Sequence, residues 1–179
     1  MDSISDAQRD MREAYFGGGT GAVSSATAWL AAALVATFAT PKAGILTLVF
    51  GGTLIFPLSV VLSKIVGRSG KHDKGNPLAP LAIQGTFWML LSIPIAIGVA
   101  MYKIELFFPA MLLVIGGRYF TFVTIYGMKI YWLFGAALAL SAFPLAILNA
   151  PVMVGAYTGA MIEYVFGIVI FIISKPKAS

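Results

Sequence analysis

Between residues 18 and 173 the chain is a succession of six apolar runs, each about 20 residues long, divided by short polar breaks. An α-helix needs roughly 20 apolar residues to cross about 30 Å of hydrocarbon. Within hydrocarbon every backbone N–H and C=O must be satisfied inside the protein, which for runs of this length means helix. The runs lie near 18–39, 43–66, 78–101, 106–128, 131–149 and 152–173, with ATPKAG, GRSGKHDKGNP, YKIE, GMKIY and NAP between them. Breaks this short force successive spans to run antiparallel. The expected fold is therefore all-α: a polytopic bundle of six transmembrane helices, arranged as three hairpins and occupying 17–174. Pro41, Pro77 and Pro151 suit the starts of spans, where a missing N–H costs nothing. Pro57, Pro94 and Pro144 fall inside the second, third and fifth spans and predict kinks there.

Composition supports the same class. Charged residues make up 11% of the 179-residue chain, against about 25% in a soluble domain, and mean hydropathy is +0.92. A soluble protein of this size has too much surface to cover with so few charges. Several chemistries fall with it. The absence of cysteine removes disulfides, thiolate nucleophiles and cysteine metal sites. His72 is the single histidine, and four of the seven acidic residues lie in the first thirteen positions. No metal site, cofactor or catalytic residue is expected from such a set. An intramembrane enzyme ranks third among the functional readings, for want of a nucleophile–base pair. The net charge of +5 comes from residues scattered at span ends, as membrane topology requires, so no nucleic-acid partner is expected.

The stretch MDSISDAQRDMREAYF carries charges summing to −2, whereas a signal peptide starts basic. Ser5 followed by Gln8 fits a capping box. Ile4, Ala7, Met11, Ala14 and Tyr15 then share one helical face. Residues 1–16 are read as a short cytoplasmic amphipathic helix, on the membrane surface or against the bundle ends, and 175–179 as a cytoplasmic tail. With six spans, nine Lys/Arg lie on the side of both termini: Arg9, Arg12, Lys64, Arg68, Lys71, Lys74, Lys129, Lys175 and Lys177. Lys42 and Lys103 lie opposite. The positive-inside rule then puts both termini in the cytoplasm, for a multi-pass protein of the plasma (inner) membrane.

Shifting the chain by 65 residues lays LVFGGTLIFPLSVVLSKI (48–65) on LVIGGRYFTFVTIYGMKI (113–130), identical at six of eighteen positions. A shared origin would make the second and fourth spans equivalent and parallel. In that alignment Thr53 stands opposite Arg118.

Arg118 is the feature least suited to a passive span. It lies about 16 Å by helical rise from either end of its helix, too far to snorkel. A charge at that depth costs on the order of 2.5–3.5 kcal/mol on insertion scales. Glu163, midway along the sixth span, is the available counter-ion. It belongs to a stripe of Gly155, Gly159, Glu163 and Gly167 at spacings of four, a groove that admits another helix closely. Gly116 and Gly117 thin the fourth span in the same way. The expectation is that the fourth and sixth spans pack together with Arg118 paired to Glu163. One reading is a structural ion pair; the other is a polar binding site, with Gln84 extending it toward the cytoplasm. Tyr119, Thr121, Tyr126, Tyr157, Thr158 and Tyr164 are weaker additions. The glycine stripe is alternatively a homodimer surface.

The loop GRSGKHDKGNP (67–77) fails the phosphate-loop pattern, since Ile65 stands at the first glycine position and His72 at the Ser/Thr position. Ser69, His72 and Asp73 are too close in sequence to suggest a triad. Arg68, Lys71 and Lys74 are instead expected to meet anionic lipid headgroups. Trp29, Trp88 and Trp132 are read as packing or interface anchors.

The segments GGTLIFPLSVVLSKIVGRSGKHDKGNPL (51–78) and FFPAMLLVIGGRYFTFVTIYGMKIYW (107–132) resemble an uncharacterised family of small bacterial multi-span membrane proteins. The resemblance implies a bacterial plasma membrane setting and no catalytic residue. By helix count alone the chain is also similar to the substrate-binding subunits of vitamin transporters. The leading functional expectation is a small transporter or channel-like protein with a midplane polar site. The alternative is a structural or accessory subunit, with a homo-oligomer or another membrane protein as partner.

Overall fold

The computed structural model describes residues 3–174, all of whose regular structure is helical. A first helix, α1 (Ile4–Tyr15), precedes α2 (Gly19–Phe38), α3 (Pro41–Ile65), α4 (Ala79–Tyr102), α5 (Phe107–Tyr126), α6 (Ile130–Ile147) and α7 (Val152–Ile173). The last six are long and apolar enough to cross a membrane. The protein is an integral, multi-pass membrane protein. The tail 175–179, with Lys175 and Lys177, lies outside the described residues.

Local chemistry sets the helix ends. Ser3, rather than Ser5, caps α1, its hydroxyl accepting from the Asp6 N–H at 3.2 Å. Gln8 is thereby free to leave the cap, and its amide donates to the Thr124 carbonyl at 2.8 Å. Thr40 caps α3 by accepting from the Ala43 N–H at 3.1 Å, with Pro41 in the first turn. Gly127 ends α5 in the left-handed region, φ 64°, a conformation that costs glycine little. Pro57, Pro94 and Pro144 lie within α3, α4 and α6.

The six spans form two layers of three. In one, α2 lies between α3 and α7; in the other, α5 lies between α4 and α6. Of the sequential pairs, α2–α3, α4–α5 and α5–α6 pack along each other, whereas α6 and α7, expected as the third hairpin, touch less and α7 turns back to make its main contact with α2. Small residues allow this. A Cβ at Gly167 would meet Ala22 and Val23 at 3.1 Å, and one at Gly44 would come within 2.8 Å of the Ala32 carbonyl. Close backbone approach of this kind is how helices associate in lipid, where apolar surface alone gives no preference for a partner. The layers meet through α6, α7 and the wide aromatic core around Tyr119, Tyr131, Phe134 and Phe166. The outer helices α3 and α4 remain largely exposed to lipid.

One end of the bundle collects α1, the α3–α4 loop and the α5–α6 turn. Ala7, Met11 and Ala14 bury the apolar face of α1. Arg12 donates to the Tyr126 carbonyl at 2.6 Å. Asn76 donates to the Ala7 carbonyl at 3.0 Å and to Asp10 at 2.7 Å, and the Asp73 N–H donates to Asp10 at 3.0 Å. These bonds latch the loop onto α1. Gly17 and Gly18 (φ 60° and 89°) turn the chain from α1 into α2. There the Tyr131 hydroxyl donates to the Gly17 carbonyl at 2.5 Å, and a Cβ on either glycine would collide with its surroundings.

The repeated segments take unlike places: α5 is central in its layer, whereas α3 is an edge helix. Their glycine pairs differ accordingly. A Cβ at Gly116 would lie 2.8 Å from the Gly135 carbonyl of α6, whereas Gly117 and Gly52 face open space. Gly116 is thus a packing glycine, and Gly117, expected to be one, is not. The two neighbours give a matched test. Gly116→Ala is expected to destabilise the detergent-solubilised protein by about 1–3 kcal/mol through overpacking, seen as a lower melting temperature. Gly117→Ala should leave it unchanged or raise it slightly, because alanine favours helix.

Candidate functional site: a half-depth cavity ending at Arg118

Because α3 and α4 stand apart, a cavity of about 510 Å³ opens between the layers. That volume is within the roughly 300–1,000 Å³ of small-molecule sites. At its shallow end are Met11 and Tyr15 of α1 and His72 of the loop, the Tyr15 hydroxyl lying 2.9 Å from His72 Nδ1. Its walls are Thr20 and Ser25 of α2, Gly52 and Ser59 of α3, and Thr86 and Phe87 of α4. Arg118, Tyr119 and Ile115 of α5 line its deep end, near the middle of their helix. Beyond them Trp29 and Phe108 meet at 5.5 Å between ring centroids, both fully buried, and join α2 to α5. The cavity therefore runs from beneath α1 and the α3–α4 loop to mid-depth, where it is plugged.

Arg118 does not pair with Glu163. Its guanidinium turns to α4, donating from Nη2 to Thr86 Oγ1 at 3.1 Å and from Nη1 toward Met89 Sδ at 3.4 Å. It also lies over the Phe122 ring, 5.5 Å from the centroid. Its Nε is buried with no hydrogen-bond partner among the described residues. Glu163, at 0% exposure, instead accepts from the Tyr119 hydroxyl at 3.3 Å. Ser25 lies beside its carboxyl group, whose Oε2 has no hydrogen-bond partner among the described residues. The one ion pair among the described residues is Arg9–Asp6 at the surface, 3.8 Å.

Helical geometry explains the correction. Successive residues on a helix point about 100° apart. Tyr119 faces α7 and reaches Glu163, so its neighbour Arg118 is aimed at α4. The two charged residues share a level but not a direction. Tyr119 and Ser25 stand between them, each touching the carboxyl environment on one side and the cavity on the other.

The other expected site residues divide. Gln84 is exposed on the outer face of α4 and does not line the cavity; Gly85, its neighbour, faces Thr121 and Arg118. Gly155, Gly159 and Gly167 are buried, but against this chain. Gly155 abuts Phe108 of α5, Gly159 the Trp29 ring and Gly167 the start of α2. The stripe is thus filled from within, which removes it as a homodimer surface and as a seat for a partner helix. Tyr164 and Tyr157 bond to Thr27 and Thr37 of α2, at 3.0 Å and 3.4 Å. Arg68 lies over Phe16 at 5.1 Å and, with Arg9 and Arg12, lines a surface niche of about 250 Å³. Lys71 and Lys74 are exposed on the loop and lie outside that niche.

Sequence reasoning passed over Thr86, Met89, Ser25 and Gly52. Thr86 and Met89 lie three apart on α4, and so share a face. That spacing beside an otherwise apolar run is a signal, though one shared by many membrane helices.

A family model described as "Family of unknown function (DUF7010)" matches residues 4–173. The chain belongs to this family. No curated protein and no solved structure matches the chain. The match to DUF7010 takes in α1 as well as all six spans, so the α1 latch belongs to the same unit as the cavity.

Since the chain has no cysteine, single introduced thiols report on the cavity directly. A water-soluble maleimide is expected to label Thr86→Cys in native membranes. It should leave Leu91→Cys, on the lipid face of α4, and Ala156→Cys, buried in α7, unlabelled. Equal protection of all three would mean that water does not reach Arg118.

Proposed function

We propose that this chain is a small membrane transporter whose binding site is the mid-depth polar cluster at Arg118. The single observation that supports this reading is a cavity that runs from beneath α1 to mid-depth and stops beside that side chain. A pore would need a path through both halves of the bundle; here Trp29 and Phe108 occupy the second half. An intramembrane cation is costly unless compensated. Thr86, Met89 and the Phe122 face give Arg118 only neutral partners, so the guanidinium is suited to an anionic guest, for which it is a strong donor. In this reading Glu163 sits behind Tyr119 and fixes that ring by accepting its hydroxyl.

The reading also carries an orientation. The α1 end bears Arg9, Arg12, Lys64, Arg68, Lys71, Lys74 and Lys129, so we place it on the cytoplasmic side of a bacterial plasma membrane, with the cavity in the cytoplasmic half of the bundle. Arg68, Lys71 and Lys74 then meet anionic headgroups of the inner leaflet. The accessory-subunit reading has less support, because the glycine surfaces it relied on are filled by α2 and α5.

The test is uptake by purified protein in liposomes, with alkyl sulfonates from methanesulfonate to decanesulfonate as substrates. These remain ionised and cannot cross lipid as neutral acids. Protein-dependent uptake is expected for part of the series, falling at least roughly tenfold in Arg118→Gln, as loss of about 1.4 kcal/mol of binding requires. The same variant should elute as a folded monodisperse species. Uptake equal to that of protein-free liposomes across the series would reject transport of this class.

A further inference from the structure

We propose that the Arg118 cavity takes a single-chain anionic amphiphile, which enters sideways from the bilayer between α3 and α4 with its head on Arg118 and its tail in the inter-helix slot. This deepens the transport reading and rests on it for the role of the cavity, but the binding it asserts is separately measurable.

The cavity is not a uniform vessel. Its one cationic side chain on α2–α5 is Arg118, at the deep end. Apart from Ser59 and Thr86, the wall on the α3 and α4 side is apolar: Ile55 and Phe56 on one helix, Ile83, Phe87 and Leu90 on the other. Phe56, Ile83 and Phe87 are also more than half exposed on the outside of the bundle. The same side chains therefore line the cavity and face lipid, which makes the gap between α3 and α4 a lateral opening. A small hydrophilic anion would gain nothing from such a wall and would lose its hydration against it. A hydrocarbon tail loses nothing there, since lipid and slot are equally apolar.

The chemistry at the deep end fixes the head. Arg118 presents two terminal nitrogens with neutral partners and a buried Nε with none among the described residues. A carboxylate, sulfonate or phosphate oxygen is the acceptor that such a guanidinium lacks, and charge-assisted bonds are roughly twice as strong as neutral ones. The Thr86 hydroxyl beside the guanidinium already donates to the Ala82 carbonyl at 3.1 Å, so the charge of the head is met by Arg118. Gly52 faces the slot with open space where a side chain would be, which leaves room for the first methylenes of a tail.

The experiment uses the full chain in nanodiscs of zwitterionic lipid and a dodecanesulfonate carrying a photoreactive diazirine at the tail end. Irradiation and peptide mapping should place adducts on α3 and α4 around Phe56, Ile83 and Phe87. Unlabelled dodecanesulfonate should compete; dodecanol, of equal length without charge, and methanesulfonate, charged without a tail, should not. Arg118→Gln should reduce labelling roughly tenfold. Gly52→Leu, at a position where an added Cβ meets nothing within 4 Å, should reduce it in protein that still elutes as a folded monodisperse species. Competition by dodecanol, or labelling undiminished in Arg118→Gln, would overturn the anionic head. Competition by methanesulfonate, or labelling undiminished in Gly52→Leu, would overturn the tail slot. Labelling as expected with no uptake in liposomes would leave the binding site standing and remove transport; uptake confined to methanesulfonate would do the reverse.

Discussion

The close seating of α7 on α2 is the contact on which the remaining architecture depends. Gly159 admits the Trp29 ring, and Gly167 admits the backbone of Val23 and the Ala22 methyl. A side chain at Gly159 would collide with the Trp29 ring, and one at Gly167 would crowd Ala22 and Val23 at 3.1 Å. Because α7 is drawn back to the second helix in the chain, the two layers are closed along α6 and α7. The edge helices α3 and α4 then lie on the opposite side with nothing between them. Small-residue packing on one flank of the bundle thus produces an opening on the other. The cavity is a consequence of where the glycines are.

The same contact decides the fate of the two mid-depth ionisable groups. Glu163 follows Gly159 by one turn, so the packing that buries the glycine buries the carboxyl group, at 0% exposure. Tyr119 comes across from α5 to donate to it. Once Tyr119 is committed to α7, the helix rotation between neighbours aims Arg118 into the gap beside α4. A carboxyl group served by a hydroxyl and a guanidinium served by Thr86, Met89 and an aromatic face are weaker arrangements than an ion pair. The shortfall falls on the cavity side for Arg118 and on the interior side for Glu163. It is the cavity side that a guest can relieve.

The six spans and the all-helical class were legible because each depends on the length of one apolar run and on nothing distant. Arg118 and Glu163 were legible as exceptions for the same reason: a charge in an apolar run is visible one residue at a time. Their relation was not. Depth along a helix can be counted from its ends, but the direction in which a side chain points depends on which neighbours the helix has. No pattern in the sixth span says that its glycines meet Trp29 of the first. Gln84 was misplaced by that gap in knowledge, since it lies on the lipid face of α4 one position from Gly85, which faces inward. Gly116 and Gly117 differ in the same way, and adjacent identical letters cannot separate them.

A cavity plugged at mid-depth also limits where a transporter built on this frame can move. For Arg118 to face the other side, the Trp29–Phe108 contact must part. The shallow end is covered by α1 and the 66–78 loop, which hold each other through Asp10, Asn76 and Asp73. They are tied to α5 only at its last residues, through Gln8 and Arg12. The α2–α7 seat is locked by glycines and has no slack. The Trp29–Phe108 contact between α2 and α5 carries no directed bond, but both rings are seated against glycines of α7, Gly159 and Gly155. In such a transporter each layer is held by its own glycine contacts, α2–α7 in one and α5–α6 in the other, so a change at Arg118 would have to fall between the layers.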